Sequence, residues 1–455
     1  MASTYLQRTQ GTATSRKIFT ISVWVKRANL SAQQQIFETW LDNNNRFDVQ
    51  FTASDKLLVQ HTLSGSTSIN IETSRLFRDT SAWYHIVVKV DTTQATASDR
   101  VEIYINGSQE TSLSPETYPS QNLDLALGTS SYTNFLGKYS SSGGNYFDGE
   151  MTHYHFSDGT AYDASTFGET DATTGIWKPK TAPSVTYGTN GFFLKFENSG
   201  AFGTDSSGNG NNFTVNGTMT QTIDTPSNVF ATFNPLAQTT TKGNLSNGNL
   251  TYDRPGVSDN WVTVFGTEAF TQGKYYFEYK IIDGGSSAGN GSVVGLINYD
   301  ISAIQNSSLT FIGGTTGDGG MGWYGAGNLF TSSGDQGVFS SYTDGDIVMV
   351  AVDADNGYAY WGKNGSWINS GDPTSGATGT GGFALSLAGS NGTYCFGVSH
   401  REGGNGTANF GNGYFGTTAV SSAQNPDDGI GIFEYDVPTG YRALCTKSIN
   451  AEEYS

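Results

Sequence analysis

The chain has 455 residues, enough for two sandwich-sized cores with connecting segments. Only 14% of residues are charged, 13% are aromatic and 59 are glycines, a balance that disfavours helices and suits short strands joined by Gly, Asn, Ser, Thr and Asp turns. The net charge of -18 lacks the cationic field that nucleic acid or an anionic membrane surface requires, so neither is expected as a partner.

From Phe19 to Arg27 the order FTISVWVKR alternates large apolar with small or polar residues, which predicts a half-buried strand with Ile21, Val23 and Val25 on one face. The same rhythm returns at 46–51, 56–61 and 69–71 between turn-forming segments. WYHIVVKVD at 83–91 and VEIYINGS at 101–108 predict a hairpin, because Asn106-Gly107 supplies the positive φ angles of a tight turn. NFLGK at 134–138 and YFDGEMTHYHF at 146–156 follow.

This ordered set resembles the laminin-G or concanavalin-A-like jelly-roll domain over about Met1 to Phe167. The resemblance implies two packed antiparallel sheets. Residues 168–186, polar and interrupted by Pro179 and Pro183, read as a connector. Gly191 to Phe196 is one more strand, and 211–235, with Phe213, Phe230 and Phe233 as anchors, reads as an ordered but irregular bridge.

In the second half, KYYFEYK at 274–280 alternates, VVGL at 293–296 reads as a buried strand, DIVMVAVD at 346–353 is long enough to cross a sheet, and YAYWGKNG at 358–365 makes another Asn-Gly hairpin. Gly273 to Glu278, Val294 to Leu296, Tyr342 to Asp353, Lys363 to Gly365 and Asn409 to Gly411 resemble, in order, the elements of the SPRY domain over about Gly243 to Tyr414. That resemblance implies a second two-sheet sandwich. The expected organisation is all-β: two tandem antiparallel β-sandwich domains at 1–200 and 243–420, an irregular linker at 201–242 and a C-terminal tail at 421–455. The tail either docks or braces a domain through Phe433, Tyr435 and Tyr441, or returns to complete the second sheet.

The D-S-S-G-N-G-N-N-F-T bridge at 205–214 and the Y-D-V-P-T-G-Y-R-A-L-C-T ending at 435–446, taken with both domain signatures, resemble virion structural proteins of tailed bacteriophages, particularly of marine and cyanobacterial hosts. This implies a structural or surface-displayed virion protein, made soluble in the host cytoplasm, whose partners are other virion proteins, copies of itself and a host-surface glycan. The alternatives are a receptor-binding fibre or spike lectin and a polysaccharide-degrading enzyme. The N-terminus carries Arg8, Arg16 and Lys17 without an apolar run and is not read as a secretory signal, and no stretch is long enough to insert in a membrane.

The chemical inventory is sparse. No nucleophile elbow, H-E-x-x-H helix or P-loop occurs, so no catalytic residue is assigned and the chain reads as not an enzyme. His153 and His155, two apart on a strand, could share a metal, but the plain reading is a polar, solvent-facing pair. Carboxylate pairs such as Asp344 with Asp346 and Asp353 with Asp355 read as turn caps. Calcium is the one cofactor considered, on Asp42, Asn43 and Asp148, with turn capping as the alternative. For stacking on a pyranose the candidates are Trp40, Tyr132, Tyr139 and Tyr146 in the first domain and Trp323, Tyr324 and Trp367 in the second; Trp24 and Trp361, inside strands, read as core. Cys395 and Cys445 form no disulfide framework, and a single bridge between them is left open.

Overall fold

In a computed structural model the described residues are 3–129, 131–140, 144–239, 241–256, 260–285, 291–298, 311–314, 319–331, 333–385 and 392–453. The chain is nearly all β and divides into two compact units, 1–221 with 225–227 and 222–224 with 228–455.

In the first unit, the alternation at 18–27 becomes the strand Ile18–Arg27, paired antiparallel with Trp83–Asp91 on one side and Gly149–Asp158 on the other. Among the described residues these lie in a six-stranded sheet that also holds Phe192–Leu194, Val101–Ile105 and Ser108–Gln109. The facing sheet runs Leu113–Thr117, Ser66–Thr73, Leu57–Leu63, Asn45–Phe51, Gln34–Asp42, Thr133–Leu136, Tyr5–Thr9 and Thr214–Asn216. Ile21, Val23, Val88, Phe47, Val49 and Val59 from the two sheets are fully buried together, and at ~25 cal/mol per Å2 such apolar burial is the dominant stabilising term. The Asn106-Gly107 turn has φ of 50° and 85°, as its hairpin requires.

Two expectations for this unit need correction. Residues 168–186 are not a bare connector: Gly168–Thr170 pairs with Trp177–Pro179, and Ala164, Phe167, Trp177 and Val185 cover the back of the six-stranded sheet at Val87 and Tyr104. That covering buries both faces of Ile18–Arg27, including Trp24, which stacks on His85 at 4.6 Å. The expected linker 201–242 is also divided. Phe202 and Phe213 are buried and Thr214–Asn216 pairs with Tyr5–Thr9, whereas Phe230 and Phe233 belong to cores of the second unit. The Asp205 carboxylate organises the glycine-rich turn by accepting the backbone N–H groups of Phe193, Ser207 and Asn211.

In the second unit one sheet runs Phe233–Gln238, Val262–Gly266, Tyr394–His400, Ser292–Asn298, Met321–Tyr324, Asn328–Thr331 and Gly334–Val338. The other is centred on Lys274–Asp283, Ile347–Asp353 and Tyr358–Lys363, flanked by Asn405–Asn409, Thr251–Asp253 and Asn244–Ser246 on one side and Ser366–Trp367 on the other. Phe277 stacks on Phe396 at 5.0 Å across the core, and the Trp361 Nε1 donates to the Val294 carbonyl at 3.0 Å.

The tail returns to this second sheet. Arg442–Ala443 pairs in parallel with Tyr275 and Tyr276, and Phe433, Val437 and Tyr441 pack over Tyr276, Met349 and Tyr360. The chain then forms a short helix, Thr446–Glu453. Cys395 and Cys445 are free, buried thiols in different apolar clusters. No helix of the described residues is long and apolar enough to cross a membrane.

Candidate functional site

Residues of Asn45–Phe51 alternate so that Phe47 and Val49 enter the core of the first unit while Arg46 and Asp48 occupy the opposite face of the eight-stranded sheet. On the neighbouring strand Gln34–Asp42, Phe37 is core and Glu38 and Trp40 face outward. The register sets Glu38 directly opposite Asp48 and Trp40 opposite Arg46. Thr133–Leu136 flanks them, and the turn that follows it brings Tyr139 and Ser140 over this face.

The contacts there are predominantly polar. Ser140 N–H donates to Glu38 Oε2 at 2.8 Å, and Gln35 Nε2 donates to Asp48 Oδ1 at 3.2 Å. Arg46 Nε lies 3.0 Å from Asp48 Oδ2, its guanidinium sits 5.4 Å from the Tyr139 ring centre, and it also donates to the Tyr139 hydroxyl. Glu38 and Asp48 are 0% exposed. Burial, added to by the Asp48 charge, pushes the Glu38 carboxyl up to about 8. Burial raises Asp48 to about 7 against the pull of Arg46. Among the described residues Gln35 Oε1 and Trp40 Nε1 are buried with no hydrogen-bond partner, while the Ser140 and Asp48 side chains both interact with Glu38. Native structures rarely leave such groups unsatisfied, so this cluster is a place to look for function.

Of the first domain's sugar candidates, Trp40, Tyr139 and Tyr146 are half-buried around this face; the Tyr146 ring lies tilted 6.2 Å from that of Tyr5, which also receives the Lys138 ammonium at 4.2 Å. Tyr132 is a correction: at 6% exposure its ring is packed away, and its carbonyl accepts from Gln10 N–H. In the second unit the three candidates do not converge. Trp323 is fully buried, with Nε1 donating to the Gly327 carbonyl, because its position on Met321–Tyr324 points into the core. Tyr324, one residue on, points the other way into a ring cluster with Trp261, Phe311 and Phe330, and its hydroxyl accepts from Arg401 at 2.8 Å. Trp367 packs on Tyr276 beneath the tail.

Of the metal candidates, Asp42 and Asn43 belong to a turn, and Asp148 lies in the extended approach to Gly149–Asp158. Asp42 Oδ1 accepts from Asn44 N–H at 2.8 Å and Asn45 Nδ2 at 2.9 Å, Asn43 is exposed in the same turn, and burial raises the Asp148 carboxyl. Among the described residues no group of three or more His, Cys, Asp or Glu side chains could hold a metal ion. The solvent-facing expectation for the histidine pair is overturned for His155, which is buried, stacked 3.9 Å from Phe193 and bonded to the Tyr187 hydroxyl at 2.9 Å; a bulge between Thr152 and His155 breaks the simple alternation. Asp346 and Asp353 cap local turns by accepting from Thr343 and Asn356 N–H, whereas Asp344 and Asp355 accept the N–H groups of Gly284 and Gly273 from distant segments.

These geometries define a protein of two antiparallel β-sandwich units. Residues 1–165 match the family model described as the concanavalin A-like lectin/glucanases superfamily. Similar solved structures include the SPRY domain of human HERC1, at 18% identity, 39% of this chain, 96% of that chain and a TM-score of 0.29. A heptameric SAP-like pentraxin of Limulus polyphemus is similar at 15% identity, covering 47% and 89%, with a TM-score of 0.28. Domain 4 of AbnA, an extracellular arabinanase of Geobacillus stearothermophilus in complex with arabinotriose, is similar at 18% identity, covering 32% and 63%, with a TM-score of 0.24. No curated protein sequence matches the chain.

Proposed function

We propose that this chain is a non-enzymatic surface protein of a tailed-phage virion that attaches to a host-surface glycan through the outer face of the eight-stranded sheet, around Trp40 and Tyr139. The observation that carries the glycan reading is the pair of half-buried aromatic rings, Trp40 and Tyr139, beside the partly exposed Arg46 guanidinium and Gln60 amide. Sugar hydroxyls both donate and accept, so they complement such a mixture, and a pyranose stacks on an aromatic ring. The virion setting rests on the sequence resemblance described above, and it makes other virion proteins and copies of this chain the assembly partners.

A glycan array probed with the full chain and with Trp40→Ala tests the binding; a signal unchanged by the substitution refutes this surface. Gold-labelled antibody to the chain, imaged on phage particles, tests the setting, and unlabelled particles refute it. The opposed Glu38 and Asp48 carboxyls favour polysaccharide hydrolysis as the second reading, and their complete burial argues against it. Reducing-sugar release that is abolished by Glu38→Gln would establish the enzyme instead.

A further inference from the structure

We infer that the first unit holds a small monovalent anion, of the size of chloride, between Arg8 and Asn134 at one end of its core. Arg8 on Tyr5–Thr9 stands directly opposite Asn134 on Thr133–Leu136, and Asn134 stands directly opposite Thr39 on Gln34–Asp42. Leu6, Leu136 and Phe37, each two residues away on the same strands, are core, so strand parity turns Arg8, Asn134 and Thr39 inward as well.

A series of fixed amides leaves two donors there without acceptors. Gly128 N–H donates to Gln10 Oε1, which commits Gln10 Nε2 to donating; its acceptors are Asn134 Oδ1 and, at 3.2 Å, Thr39 Oγ1. Asn134 Oδ1 also accepts the Thr39 hydroxyl at 2.9 Å, so the fully buried Asn134 presents its other end, Nδ2, which has no partner. From the glycine-rich bridge, Asn211 Nδ2 donates to the Thr189 and Gly191 carbonyls at 2.9 and 2.7 Å, which turns its Oδ1 toward Arg8 Nη2. Arg8 Nη1 is buried and has no partner.

Both orphaned groups are donors, and one belongs to a permanent cation. Among the described residues Arg8 forms no ion pair. The Asp205 carboxylate, whose charge it feels, is spent on the N–H groups of Phe193, Ser207 and Asn211 and on the Ser207 hydroxyl. A water molecule would satisfy the donors but leave the guanidinium charge uncompensated in a dry site, whereas an anion answers both needs. Directly opposed residues have Cβ atoms about 5 Å apart, which suits one small acceptor bridging the two donors. Arg8 as a whole is half-buried, which gives the ion a way in from solvent. The bound ion joins Tyr5–Thr9, Thr133–Leu136 and, through Asn211, the glycine-rich bridge, on the inner side of the sheet whose outer face carries Trp40 and Tyr139.

Crystals of the full chain soaked in sodium bromide test this directly. An anomalous difference peak in contact with Arg8 Nη1 and Asn134 Nδ2 is expected, and a water or no density at that point overturns the proposal. In solution, amide exchange of Tyr5–Thr9 and Thr133–Leu136 is expected to slow several-fold as chloride replaces the bulkier gluconate at constant ionic strength. Asn134→Asp keeps the shape and supplies Arg8 with a carboxylate, so it should remove the chloride dependence while the strands stay protected; Arg8→Gln should remove it too. Exchange indifferent to chloride in the wild type, or a chloride dependence that persists in Asn134→Asp, overturns the proposal. The bromide soak uses the unaltered chain and decides the matter if either variant fails to fold.

Discussion

Glu278 fastens the C-terminal segment to the second unit, and removing its carboxyl releases that segment. The side chain is fully buried on Lys274–Asp283 and accepts four hydrogen bonds: from the backbone N–H of Glu434 at 2.9 Å and of Tyr435 at 2.8 Å, from the Tyr276 hydroxyl at 3.0 Å and from Asn409 Nδ2 at 3.2 Å. Glu278→Ala strands three donors beneath Phe433 and Tyr441, since Asn409 Nδ2 keeps its bond to the Ile432 carbonyl. A single bond to a charged acceptor contributes about 1.5–3 kcal/mol, and the sum is reduced by the carboxylate's own desolvation and by water entering the vacated volume. The expected loss is therefore about 3–5 kcal/mol, the range for breaking a buried charged network. The assay is urea unfolding followed by a probe of the second unit, since a chain of two units is not a single two-state transition. Limited proteolysis should also show cleavage between residues 415 and 440 in the variant before the core is attacked. A loss below about 1 kcal/mol with an intact tail would refute the reasoning.

Other expectations follow from the same geometry. Trp323→Ala should destabilise the second unit by about 3–5 kcal/mol in thermal melts while leaving any glycan binding unchanged, because the ring is core. Gly107→Ala should cost the first unit about 2 kcal/mol, since φ is +85° and a Cβ would stand 2.9 Å from the Trp177 ring that covers His85; a melt within experimental error of the wild type would contradict this. Acid acts on His400, which burial lowers to about 3. Its folded form is neutral, so its stability is complete above the unfolded value near 6.5 and is lost as pH falls, about 2 kcal/mol by pH 5. Glu278, raised to about 7 by burial, has the opposite slope over this window, stabilising as pH falls from about 7. Glu278→Gln should therefore expose the histidine effect: the second unit of that variant loses about 2 kcal/mol between pH 7 and pH 5, and a flat profile would contradict the assignment.

Much of the fold was legible because strand alternation is a local signal. Ile18–Arg27, Asn45–Phe51, Lys274–Asp283 and both Asn-Gly hairpins stand where the period of two put them. Alternation is silent where bulges intervene, as in Gln34–Asp42, whose register shifts twice against its neighbour, and that strand carries Glu38 and Trp40. It is silent also on what covers a sheet from behind: nothing periodic marks Phe167, Trp177 and Val185 as the covering of the six-stranded sheet, whereas the aromatic tail residues Phe433 and Tyr441 were legible as bracing, though not which sheet they cover. The aromatic candidates show the same limit. Trp323 and Tyr324 are adjacent in a glycine-rich stretch, and only strand parity sends one into the core and the other out. The Arg46 and Asp48 alternation was visible, but its meaning required the partner strand's register, which opposes Asp48 to Glu38.

The central claim is that the outer face of the eight-stranded sheet binds a glycan, and calorimetric titration of the full chain with the best array-selected oligosaccharide tests it most directly. Stacking on Trp40 and capture of the arginine-held Tyr139 predict that Trp40→Ala and Tyr139→Ala each weaken binding by about tenfold or more, whereas Tyr324→Ala, in the other unit, leaves it unchanged. Affinity that survives both first-unit substitutions, or that is lost only with Tyr324→Ala, would contradict it.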